Sequence, residues 1–84
     1  MNINPSDHRR ASALIVHHSR NDIDGINTTL EEAVNERRAT QLVLSLLEVF
    51  SYLVPELRTE LGIGLMSNHV IRLAGLEDEG HTDA

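Results

Sequence analysis

Two adjacent histidines, His17 and His18, are the most conspicuous pair of side chains in this sequence that could do chemistry. Imidazoles ligate metals and move protons near neutral pH. Neighbours on a helix point about 100° apart, however, and a helical metal pair needs an i, i+4 spacing that no two histidines here have. His18 falls on an apolar stripe and His17 on its edge. The expectation is a hydrogen-bonded, half-buried His18 and a solvated His17, with no metal. Asp22-Ile23-Asp24-Gly25 with Glu31 partly imitates a calcium loop. Aligning Gly25 with that loop's glycine puts Arg20 where the first carboxylate belongs and Asn27 in the hydrophobic slot. Helix caps and dipole contacts account for the same carboxylates, so neither a metal nor a cofactor is expected.

Arg9-Arg10 and Arg37-Arg38 are the basic clusters. With His8, His17, His18 and Arg20, Arg9-Arg10 makes the first helix the most positive part of the chain. If Arg9, Arg10, Arg37 and Arg38 converge, they form a patch for phosphates or for an acidic partner. Otherwise they form a solvated face paired with Glu31, Glu32 or Glu36. Ser, His and Asp all occur, but there is no cysteine, no glycine-rich phosphate loop and no Gly-x-Ser-x-Gly elbow. The chain therefore reads as non-enzymatic.

These residues are carried by 84 amino acids, enough for one domain with a modest core. The only aromatics are Phe50 and Tyr52, so that core must be Leu, Ile, Val and Ala. A small core without large anchors or disulfides favours association of identical chains, most simply a homodimer. The net charge is −6. It opposes phosphate backbones and anionic membranes and makes nucleic acid a poor general partner. No apolar run approaches the roughly 20 residues of a bilayer span. The polar start, Met1 to Arg10, lacks a signal-peptide core, and a cytoplasmic location is expected. All seven basic residues are Arg, as a GC-rich genome would produce.

The spacing predicts an all-α fold: a compact bundle of three to four short helices over residues 1–76, followed by a disordered acidic tail over 77–84. Asn4-Pro5-Ser6-Asp7 opens the first helix, and Ala11, Leu14, Ile15 and His18 mark its face to Ser19. Asp22 caps a second helix, with Ile23, Ile26, Leu30, Ala33 and Val34 on one side; a capping pattern at Thr28 allows a later start. Ala39 to Val54 is the most apolar segment. Leu42, Val43, Leu46, Leu47, Phe50 and Leu53 make a wide face, Leu44 and Val49 extend it, and Gln41, Ser45, Glu48 and Tyr52 form a narrow polar strip. Such a helix is either central or meets a second chain. Pro55 interrupts it, and Pro55 to Ala74 reads equally as one bent helix or two. Gly75 reads as a C-cap.

Ile26-Asn27, Leu30 and Glu32-Ala33 precede Arg38, Thr40, Leu42-Val43, Leu46-Leu47 and Val54-Pro55. In this pattern the stretch Asp22 to Leu57 resembles small helical proteins of actinobacteria and their phages. The resemblance covers less than half of the chain and implies a helical fold and an origin, with no activity. The leading expectation is a self-associating protein–protein interaction module, in one version a phage or mobile-element accessory protein acting on a host protein. Its interaction surface would include Leu44, Val49, Tyr52 and His18. The alternative is a small DNA-associated transcriptional regulator using the Arg patch.

Overall fold

The computed structural model describes residues 2–81, with side chains through residue 78. It is all-α, with no strand among the described residues. α1 spans Pro5–Ser19, α2 Ile23–Asn35, α3 Ala39–Leu53 and α4 Glu60–His81, and a 3-10 turn at Pro55–Arg58 precedes α4.

Local chemistry explains most of these boundaries. Asn4 and Asp7 form a capping box at the start of α1: the Asn4 side chain accepts the Asp7 N–H at 3.1 Å, and Asp7 accepts the Asn4 N–H at 2.9 Å. Asp22 caps α2 by accepting the Gly25 N–H at 2.9 Å, so α2 begins at Ile23 rather than at Thr28. α1 and α2 end alike. Asn21 (φ 55°) and Arg37 (φ 58°) adopt the left-handed conformation. The next N–H then reaches back to a carbonyl in the last turn, Asp22 to His17 at 2.9 Å and Arg38 to Ala33 at 2.8 Å. These are Schellman closures, and they turn the chain without a glycine. Gly25 lies where a Cβ would come 2.5 Å from Asp22 Oδ2 and 2.6 Å from His17 Nδ1. At Gly62 a Cβ would overlap the Glu56 carbonyl oxygen, so the 3-10 turn can fold onto α4 only over a glycine.

The chain divides into two units, Met1–Leu53 and Val54–Ala84. In the first, α1 packs on both α2 and α3, which touch each other less. The central helix of this unit is therefore α1, so of the two alternatives for the apolar α3 the central position is not the one observed. The aliphatic core is small: Ala11, Ala33 and Leu42 are buried, with Leu14, Leu46 and Val49 packed against them. The other buried residues of this unit are polar: Asp7, Arg10, Thr29 and Ser45.

In the second unit the 3-10 turn packs against the start of α4. Thr59 caps α4, its Oγ1 accepting the Gly62 N–H at 3.1 Å. The segment after Pro55 is thus a short turn plus one long helix. α4 continues through Gly75, which does not end it, and takes in residues 77–81 as its last turns. A lone glycine weakens a helix without stopping it when no left-handed turn follows. Residues 82–84 of the expected tail lie outside the described residues.

Candidate functional site

Within the first unit, α1 faces its neighbours with charge as well as apolar groups. Asp7, Arg10 and Ala11 lie at i, i+3, i+4 and are all buried. Asp7 accepts two hydrogen bonds from Arg38 at the start of α3, from Nε at 3.1 Å and from Nη2 at 2.5 Å. Arg10, only 1% exposed, donates from Nε to Glu32 at 2.9 Å and from Nη2 to Glu36 at 2.6 Å. Its Nη1 has no hydrogen-bond partner and lies 3.6 Å from Asp7 Oδ1. Arg9 joins the cluster from outside through Glu32. The Arg38 hydrogen bonds lead in holding the Asp7 carboxyl down to about 2, against the opposing effect of burial. Glu32 is lowered as well, first by Arg9 and then by Arg10. Arg10 and Arg38 are correspondingly held in their charged form.

The basic residues singled out in the sequence do come together in part, but with carboxylates among them. Arg9, Arg10 and Arg38 are matched by Asp7, Glu32 and Glu36, while Arg37 stays exposed at its turn. Three cations offset by three anions, one cation being buried, leave little field to attract a polyanion. Asp7 and Arg10 continue the α1 stripe toward its start, and Glu36, the C-cap of α2, follows Glu32 by one turn.

A second polar tie joins α1 to α3. The fully buried Ser45 hydroxyl lies 2.7 Å from His8 Nδ1, and His8 Nε2 is 3.8 Å from Glu48. A hydroxyl, an imidazole and a carboxylate in series are the parts of an activated nucleophile. Ser45 is closed to solvent, so here the arrangement fastens two helices. His17 is half-buried rather than solvated, and its Nδ1 lies 3.2 Å from Asp22 Oδ2, joining the end of α1 to the cap of α2. Asp22 thus serves a cap and an imidazole, and Asp24 and Glu31 are exposed. Among the described residues no three His, Asp or Glu side chains converge as a cation site would require.

With polar groups turned inward, apolar ones are left outward. On α3 the buried side is Leu42 and Ser45, so the expected polar strip is partly inside. Val43, Leu47, Phe50 and Leu53 are exposed, Leu47 at 59%. On α2, Thr29 and Ala33 are buried while Leu30 and Val34 are exposed. Between these stripes lies an open groove of about 360 Å³. Its floor is Leu14, Ile15 and His18 of α1; its walls are Ile26 and Leu30 of α2 and Leu46 and Phe50 of α3. His18 is exposed rather than half-buried and is the one lining residue able to carry charge. Of the surface residues expected on α3, Val49 instead packs against the core, Leu44 is at the margin of exposure and Tyr52 is 77% exposed on the side away from Phe50. The cause is a rotation of α3: hydrogen bonding from His8 and Arg38 draws its Ser45 side onto α1.

Among the described residues no helix is long and apolar enough to cross a membrane. Searches of family models, of curated proteins and of solved structures found no match to this chain.

Proposed function

We propose that this chain is a non-enzymatic protein–protein interaction module that self-associates through the apolar stripes of α2 and α3. The observation that carries the reading is the exposure of Val43, Leu47 and Phe50 beside a groove floored by Leu14 and Ile15. Monomeric proteins rarely leave contiguous apolar patches above a few hundred Å² in water. The same unit buries few aliphatic side chains, so it has much to gain from covering this face.

Light scattering and sedimentation across a dilution series test the reading. The expected result is an oligomer that dissociates on dilution and that Leu47→Glu converts to a folded monomer. A monomer at every concentration, unaffected by Leu47→Glu, would remove the self-association.

A further inference from the structure

The open face of the first unit has a pattern that specifies more than stickiness. Val43, Leu47 and Phe50 fall at i, i+4 and i+7, the spacing of a coiled-coil seam, and Leu46 and Leu53 flank it on the groove side. Leu30 and Phe50 both line the groove, which makes the α2 and α3 stripes one surface; Val34 extends it by one turn of α2.

Resting on the self-association proposed above, we infer that the occupant of this face is a second copy of the chain, docked with its α3 antiparallel along α3 of the first. In that register Leu47 of each copy packs against Phe50 of the other. Each α3 then lies over the groove wall of its partner, and one surface serves both copies, as a two-fold interface requires.

Area and charge both favour this occupant. The exposed portions of Leu30, Val34, Val43, Leu47, Phe50 and Leu53 amount to about 600 Å² of apolar surface. A standard interface covers about 800 Å² per partner, and homodimer interfaces are about 65% apolar, so the face is the right size for a dimer core. α3 carries a single charged residue, Glu48, which lies on its His8 side. Two chains of net charge −6 can therefore meet here without opposing like charges across the seam. The antiparallel sense opposes the two helix dipoles and keeps the exposed Arg37 residues, next to the start of α3, at opposite ends. A parallel pair would align the dipoles and bring those arginines together.

The absence of cysteine makes the geometry directly readable. Leu47→Cys, Phe50→Cys and, off the seam, Tyr52→Cys are prepared singly, checked for native helicity by circular dichroism and oxidised under dilute conditions. The expected result is that a mixture of the Leu47→Cys and Phe50→Cys chains forms disulfide dimers roughly tenfold faster than either variant alone, because only the mixed pair meets the short Cα separation a disulfide needs. The Tyr52→Cys chain should stay unlinked. Faster self-linking of the Leu47→Cys and Phe50→Cys variants than of their mixture would show a parallel pair and overturn the proposed register. Linking of the Tyr52→Cys variant would place the interface elsewhere and overturn the proposed face. In both cases light scattering would still report a dimer, so the self-association itself would stand. A Leu47→Cys chain that is monomeric by light scattering and whose thiol resists a maleimide would show the face covered from within the chain, and would remove both proposals.

Discussion

Asp7 and Arg10 stand on α1 at the stripe positions where apolar residues are expected. Burying a charge forfeits its hydration, and only close pairing offsets the loss. Asp7 achieves this through Arg38, and Arg10 through Glu32 and Glu36. The arrangement has a consequence for acid stability. The Asp7 carboxyl is lowered from 3.8 to about 2, so it binds a proton more weakly in the folded protein than in the unfolded chain. Its contribution is complete above about pH 4 and disappears as the pH falls toward 2. Thermal melts over that range should show a falling Tm. In Asp7→Asn this pH dependence should flatten, and the Tm near neutral pH should be lower by roughly 10 °C, because Arg38 and Arg10 lose a buried counter-charge. The Ala11–Leu14 stripe was legible as the inward face of α1. Its extension through Asp7 and Arg10 was not, because charged residues are normally placed outside unless their partners are known.

Helix boundaries depend on short-range chemistry. The α1 start at Asn4-Pro5 could be read directly and the α2 start at Asp22 as one of two capping signals, since a side chain within three residues satisfies the first free N–H groups. The ends are different. The polar stretch Asn35 to Arg38 marks the end of α2, but no glycine or proline forces it, and the left-handed Arg37 is not announced by its residue type. A side chain with a Cβ meets a steric penalty there that glycine avoids. Arg37→Gly should therefore stabilise the protein by about 1 kcal/mol, measured as an upward shift of the urea midpoint with an unchanged slope. A loss of stability would show that the Arg37 side chain has a stabilising role that outweighs its backbone strain. Gly75 makes the converse point: a glycine that looks like a cap remains helical when the chain does not turn after it.

At the scale of the molecule, the first unit buries a polar network and leaves much of its aliphatic surface open. Leu42 is the one large aliphatic side chain buried in it. Leu42→Ala should cost about 2–4 kcal/mol, a large share of what a domain of this size has in reserve, and chemical denaturation would show it as an early midpoint. The self-association proposed above would add to stability by mass action, so the Tm of the unmodified protein should rise with its concentration. The all-helical class and three of the four helices were determined by the sequence alone, because apolar periodicity and capping act over a few residues. Which side of α2 and α3 faces inward was decided only in the tertiary structure. Both helices are apolar around much of their circumference, and it is pairing between residues 22 to 37 positions apart that selects the rotation, Arg10 with Glu32 and Glu36, Asp7 with Arg38, and His8 with Ser45.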